Sequence, residues 1–235
     1  MKVAALIPAR KGSKEVPYKN FKEFLGKPLV YWTLDTAVES GVFDSIIVST
    51  DGVQAPSVES NVIWDDERPE ELATDEASLD DLLCYYMFKY PEIDMWCLLQ
   101  PTSPLRTAGD IKNAYYMMFE KEADGEDYKY DSLVSVKSHP VLAWVANAVG
   151  IPDVDDPQPI ATYPVRKRPN RQDRKDWYLE NGAIYFTRKY VLDQIKCRLH
   201  GYIGLYVMPE ERSIEIDSPM DWKMAEFLGG VNGLA

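Results

Sequence analysis

Val3-Ala4-Ala5-Leu6-Ile7 passes without a break into Pro8-Ala9-Arg10-Lys11-Gly12-Ser13-Lys14-Glu15-Val16-Pro17-Tyr18-Lys19-Asn20. Consecutive apolar residues with no polar alternation predict a parallel strand buried on both faces. The stretch after it holds glycine, proline and several cations with no helical period, so it reads as a loop. A loop at the C-terminal end of a first strand can turn backbone N–H groups and cationic side chains onto a polyphosphate. The G-x-x-x-x-G-K-[ST] spacing of a Walker loop is absent, and Lys14 and Lys19 sit in a proline-stiffened segment instead of opening a helix.

Outward from this stretch, strand-like runs recur at Ser45–Thr50, Val62–Trp64, Met95–Gln100, Leu133–Val136, Ala183–Phe186 and Gly204–Met208. Helical patterns lie between them. One opens at Pro28 and ends at Gly41; others cover about Glu76–Tyr90 and Thr107–Lys121. The last begins at Ser218-Pro219, with Met220, Trp222, Met224, Ala225, Phe227 and Leu228 expected on or near its buried face. Alternating strand and helix predicts a doubly wound, mostly parallel α/β sheet with its working loops at the strands' C-terminal ends. The proline-rich stretch 138–180 breaks the rhythm and is expected to leave the sheet as a β-rich arm. The expected core is therefore 1–137 with 181–235.

The chain of 235 residues carries a formal charge of −12, which argues against broad nucleic-acid or anionic-membrane binding. Its cations are unevenly placed: residues 10–27 hold six Lys/Arg against two Glu, and residues 166–175 hold six against one Asp. Each island reads either as solvated surface or as one wall of a site for an anion. Three cysteines, Cys84, Cys97 and Cys197, show neither metal-site nor redox spacing, and an odd number is no disulfide framework. No apolar run approaches the roughly 20 residues needed to cross a bilayer. With Met1-Lys2 leading directly into a strand, cytoplasmic placement is the expectation. His139 and His200 lie far from any Ser or Cys signature and read as structural.

Four further segments fall at strand ends: Ser49-Thr50-Asp51, Gln100-Pro-Thr-Ser-Pro-Leu-Arg106, Asn181-Gly-Ala-Ile-Tyr185 and Ser213-Ile-Glu215-Ile-Asp217. With Ile7-Pro-Ala-Arg10, Gly26-Lys-Pro-Leu29, Arg68-Pro-Glu-Glu-Leu-Ala-Thr-Asp75 and Arg171-Gln-Asp173, this ordered series resembles the cytidylyltransferases of nonulosonic acids. Acylneuraminate cytidylyltransferase is the best-known type of that group. The resemblance runs through nearly the whole chain. It implies the Rossmann-like fold of nucleotide-diphospho-sugar transferases and the reaction of CTP with a nonulosonic acid to give a CMP-sugar and pyrophosphate. It also implies Mg²⁺ or Mn²⁺, and a homodimer in which the arm of one subunit reaches the other's site.

By the same analogy Arg10, Ser13, Lys14, Lys19 and Asn20 handle the triphosphate and ribose, while Arg68 and the backbone at Ala77 meet the cytosine. Gln100, Tyr185, Arg171 and Lys137 meet the sugar acid, Arg171 and Lys137 as contributions from the partner. Lys19, Arg10, Lys14 and Asp217 are the catalytic candidates, and Asp217 with Glu215 the metal ligands. Duller roles stand beside these. Asp217 could cap the last helix, Glu215 could be a salt-bridged strand residue, Gln100 could end its strand, and Tyr185 could be a core aromatic. The family usually has Asp-x-Asp where this chain has Glu215-x-Asp217, and glycine where it has Lys11 and Glu15. The rivals are a 3-deoxy-manno-octulosonate cytidylyltransferase and a nucleotide-binding homologue without turnover.

Overall fold

The computed structural model describes residues 1–53, 59–121, 125, 128–139, 142–145, 160–173, 177–231 and 233. The apolar stretch quoted above is strand β1 (Val3–Pro8), and all six of its residues are buried. It lies between parallel neighbours on both edges, which is why its sequence shows no polar face.

After β1 comes a tight hairpin, β2 (Glu23–Phe24) and β3 (Lys27–Pro28), then helix α1 (Leu29–Ser40). The chain continues through β4 (Ser45–Ser49), β5 (Val62–Asp65), α2 (Leu79–Lys89), β6 (Met95–Leu98), α3 (Ala108–Met117) and β7 (Ser132–Ser138). A ribbon of β8 (Trp144–Val145) and β9 (Ile160–Ala161) precedes β10 (Tyr178–Arg188), α4 (Lys189–Ile195), β11 (Ile203–Val207) and α5 (Pro219–Val231). Seven strands form one sheet in the order β11-β7-β10-β6-β1-β4-β5. β10 runs antiparallel to β6 and β7; the other pairings are parallel. The expected α/β class and mostly parallel sheet are what the structure has.

Alternate residues of β1 feed two cores. Ala5 and Ile7 pack with Val30 and Leu34 of α1 and Ile111 and Ala114 of α3. Ala4 and Leu6 pack with Leu82, Leu83 and Met87 of α2 and Leu192 of α4 on the opposite face. A third cluster joins Val16, Phe24, Leu29, Leu105, Ile216, Trp222 and Ala225. It matters most for function, because it binds the loop after β1 to α5. Phe24 meets Trp222 edge to face at 5.5 Å between centroids, and burying each such side chain contributes roughly 1.5–3 kcal/mol. The hairpin that delivers Phe24 turns through Leu25 (φ 46°) and Gly26 (φ 89°), the pair of positive φ angles a type I′ turn demands.

Several elements depart from the sequence expectation. α4 had no predicted counterpart: it is a short helix of seven residues entered directly from β10. α2 begins at Leu79, because the Ser78 side chain caps it by accepting from the Asp80 N–H at 3.0 Å. α3 ends at Met117 rather than Lys121. α5 buries Trp222, Ala225 and Gly229, whereas Met220, Met224 and Phe227 are exposed, against expectation. The helix is apolar on two sides, and it packs on a loop cluster that covers one of them.

The stretch 138–180 is joined to the sheet at the ends of an antiparallel pair, Tyr178 opposite Ser138 and Leu179 opposite Lys137. Within 138–180 the described residues form the β8–β9 ribbon and two 3-10 turns, Val165–Lys167 and Arg171–Asp173. The side chain of Arg171 and residues 174–176, part of the second basic island, lie outside the described residues. Cys84, Cys97 and Cys197 are free thiols, the first two buried. Among the described residues no helix is long and apolar enough to cross a membrane.

Candidate active site

A polar cleft of about 230 Å³ opens at the C-terminal ends of β1 and β6. One wall is the loop after β1. Tyr18 takes a left-handed conformation (φ 54°) and turns the chain into a 3-10 turn, Lys19–Phe21. That turn brings Lys19 into the cleft, its side chain 14% exposed. Lys19 Nζ donates to the Ile216 carbonyl at 2.7 Å and lies 3.3 Å from Asp217 Oδ1. Buried Asn20 donates to the Arg10 carbonyl at 2.9 Å and braces the loop from beneath. Arg10 and Ser13 line the same wall.

The facing wall is the segment 213–217 before α5. Ile216 anchors it in the third core, and its N–H donates to the Thr102 carbonyl at 2.8 Å. Glu215 and Asp217 therefore both project into the cleft. Glu215 Oε1 accepts from Gln100 Nε2 and Thr102 Oγ1, both at 3.4 Å. Burial first, and then neighbouring Asp217, push the Glu215 carboxyl above its ordinary range. Asp217 does not cap α5. Ser218 Oγ accepts from the Asp221 N–H at 3.3 Å, and the Asp221 carboxylate accepts from the Ser218 N–H at 2.8 Å.

The third side is the loop between β5 and α2. Arg68 is buried, and burial lowers its guanidinium pKa. It donates through Nε to the Leu72 carbonyl at 2.8 Å and again through Nη2. The Ala77 N–H reaches Thr74 Oγ1 at 3.1 Å. Arg68 and Ala77 both line the cleft.

Gln100 also lines it, and its Nε2 donates to the Gly182 carbonyl at 2.9 Å. Gly182 has φ +67°, and a Cβ there would stand 2.5 Å from Glu215 Oε1. No other residue type fits that turn without moving the carboxylate. Beside it, buried Asn181 accepts from Ser135 Oγ at 2.6 Å and donates to Ser213 Oγ at 3.0 Å.

Other sequence candidates lie elsewhere. Lys14 stands at the rim, paired with Asp75 Oδ2 at 2.8 Å. Tyr185 is buried in the second core, and its hydroxyl donates to Glu180 Oε2 at 3.1 Å. Burial, reinforced by Glu180, pushes that hydroxyl's pKa up to about 12. Lys137 is half-buried on β7 opposite Leu179.

Sequence reading assigned no role to Thr102, Asp75 or Arg106. Arg106 is buried, donates to the Ala183 carbonyl and to Thr33 Oγ1 at 2.6 Å, and is pulled down to about 10 by burial. It ties α1 and β10 beneath the Gln100–Arg106 loop. None of these partners is near in sequence, so no local signal marked them.

A larger hollow of about 890 Å³ lies at the other end of the sheet, beside Asp94, Asp131 and Arg188. Its Arg188 and Lys189 are already bonded to the carbonyls of Met118, Tyr130 and Pro91. It lies opposite the strand ends where such folds place their chemistry.

Among the described residues no three His, Cys, Asp or Glu side chains converge as a ready metal cage. Two carboxylates beside an open polar cleft nevertheless suit Mg²⁺, which prefers oxygen ligands, keeps several waters and completes its shell from substrate phosphates.

Residues 4–200 match the family described as Cytidylyltransferase. The chain is 32% identical to N-acylneuraminate cytidylyltransferase A of Danio rerio over 95% of this chain and 50% of that protein. Identity is also 32% to the N-acylneuraminate cytidylyltransferase of Escherichia coli O18:K1:H7, over 95% of this chain and 51% of that one. The chain thus spans about half the length of these curated relatives. It is 30% identical to the CMP-N,N'-diacetyllegionaminic acid synthase of Legionella pneumophila over 99% of this chain and 98% of that protein. Among solved structures, a CMP:2-keto-3-deoxy-manno-octonic acid synthetase complexed with CTP superposes with a TM-score of 0.61 at 20% identity, covering 99% of this chain and 100% of that one. A 4-diphosphocytidyl-2C-methyl-D-erythritol synthase from Anaerococcus prevotii gives a TM-score of 0.59 at 12% identity, covering 96% and 97%. These two likenesses bear on the fold alone.

Proposed function

This chain belongs to the cytidylyltransferase family, and on that premise we propose that it transfers CMP from CTP to the anomeric hydroxyl of a nonulosonic acid, releasing pyrophosphate. The observation that carries the reading is the cleft itself. Lys19 and Arg10 on the loop after β1 face Glu215 and Asp217 on the segment before α5.

In the proposed reaction the anomeric hydroxyl attacks the α-phosphorus in line and releases its proton to solvent. The new O–P bond forms as the bond to the β-phosphate oxygen breaks, and pyrophosphate leaves with that electron pair. Such chemistry needs alignment and charge neutralisation more than a protein nucleophile. Lys19, Arg10 and Lys14 neutralise charge gathering on the α-phosphate and on departing pyrophosphate. Ser13 and Asn20 order the triphosphate and ribose side, and Arg68 with the Ala77 backbone meets the cytosine. Asp217 and Glu215 hold Mg²⁺, with Mn²⁺ as its substitute. When bound, the ion supplies positive charge to the phosphate oxygens.

Gln100, which lines the cleft, serves the acceptor, while Tyr185, buried in the second core, acts as the core aromatic that was its alternative. Arg171 and Lys137, carried at the arm and its base, serve it from the partner subunit of a homodimer, with Arg171 gripping the sugar carboxylate as a bidentate pair. Free Cys84, Cys97 and Cys197 fit a reducing, cytoplasmic setting.

The test is pyrophosphate release with CTP and Mg²⁺ across a panel of sialic, legionaminic and pseudaminic acids, with UTP and ATP as alternative donors. Release that requires CTP and at least one of these acids is the expected result. Release with 3-deoxy-manno-octulosonate and none of the panel would replace this acceptor with that one. No release above background with any acceptor would end the proposal.

A further inference from the structure

Two cations of the loop after β1 converge on one carboxylate of the third side, the loop between β5 and α2. Arg10 Nη2 lies 2.5 Å from Asp75 Oδ1, and Lys14 Nζ lies 2.8 Å from Asp75 Oδ2. Each oxygen thus carries one cation. Arg10 also donates to the Ala73 carbonyl at 3.3 Å, so the contact stitches the loop after β1 to the 73–77 segment that leads into α2. Arg10 and Asp75 both line the cleft, and both stay partly exposed, with side-chain accessibilities of 28% and 29%. Asp75 belongs to none of the three apolar cores.

An anion entering between Arg10 and Lys14 meets oxygens already in place. It competes with Asp75 for both cations. We infer that Asp75 is a placeholder anion: it holds Arg10 and Lys14 together before nucleotide arrives, surrenders both to the incoming phosphates, and thereby releases the 73–77 segment that carries Ala77. The inference rests on the phosphate-site reading above.

The exchange is energetically easy. Exposed ion pairs are weak because water screens them, whereas a diphosphate brings several charges to the same pair of cations. Hydrogen bonds from Lys14 and then Arg10 hold the Asp75 carboxyl below its ordinary range, so it competes as a full charge at neutral pH. The arrangement couples two walls: the residue that pairs with the phosphate cations also tethers the segment assigned to the base.

Calorimetric titration of metal-free protein with inorganic pyrophosphate tests this. Asp75→Asn keeps the shape and removes the charge, and it should bind pyrophosphate about fivefold tighter. Asp75→Glu should bind as the parent does. In the parent, pyrophosphate should speed hydrogen exchange at the amides of 73–77, a readout that needs no variant to fold. Equal or weaker binding by Asp75→Asn, or exchange at 73–77 unchanged in the parent, would make Asp75 a fixed support of Arg10 and overturn the inference. Failure of the parent itself to bind pyrophosphate would instead strike the phosphate-site reading on which it stands.

Discussion

Asp217 lies 73% exposed with its carboxylate 3.3 Å from Lys19 Nζ, while the next residue, Ser218, bonds into the Asp221 carboxylate at the start of α5. The sequence left two roles for the acidic residue beside that helix, cap or ligand. The geometry gives the cap to Ser218 and Asp221. The two neighbours should therefore separate cleanly in mutation. Asp217→Asn should weaken Mg²⁺ binding at least about tenfold, the scale on which metal-site partners act, with an unchanged melting temperature. Ser218→Ala should cost about 1 kcal/mol of stability and leave metal affinity alone. Calorimetric Mg²⁺ titration and thermal unfolding of both variants are the measurements; a stability loss in Asp217→Asn with unchanged metal affinity would return it to a capping role.

At the scale of elements, β10 shows how a strand can carry two kinds of information. Its Ala183–Phe186 portion was legible as apolar strand, but the strand runs from Tyr178 and its pairing with β7 shifts between Glu180 and Tyr185. Asn181 and Gly182 make that irregularity. Asn181 is bonded to Ser135 and Ser213, and Gly182 passes against Glu215 and Gln100. Gly182→Ala should cost about 2 kcal/mol, through its positive φ and the clash with Glu215. It should also raise the Mg²⁺ requirement by displacing that carboxylate. Denaturant unfolding and metal titration of the variant check both; a variant as stable as the parent would show that the turn relaxes.

Across the whole molecule, a half-buried ion pair joins stability to the site. Asp65, at the end of β5, accepts from Tyr86 OH at 2.9 Å and Lys89 Nζ at 2.6 Å. Its carbonyl accepts from the Thr50 N–H, and the Thr50 carbonyl accepts from the Arg68 N–H, so the pair steadies the turn that delivers Arg68. Burial alone would raise the Asp65 carboxyl, but bonds from Lys89, Tyr86 and the Glu67 N–H outweigh it and hold it below the ordinary value of 3.8. A carboxylate held lower in the folded state stabilises fully above its unfolded value, and that contribution is lost as pH falls through the folded value. Asp65→Asn should therefore lose about 1–3 kcal/mol at pH 7, and the gap to the parent should narrow below about pH 4. Urea unfolding at both pH values measures it, and an equal gap at both would remove Asp65 from the acid response.

By itself the sequence determined the strand of Val3–Ile7, the basic loop behind it, the strand–helix rhythm and the ordered motifs at strand ends. Each is a matter of neighbours along the chain: a run of apolar residues, a proline, a period. Tertiary structure alone decided that α5 turns Trp222 inward and Phe227 outward, that Ser218 and not Asp217 serves the helix, and that Asp75 answers Arg10 from 65 positions away. Lys19 finds Asp217 across 198 positions. Such pairings have no local signature, because they exist only once the closed cores bring distant loops to a common edge of the sheet.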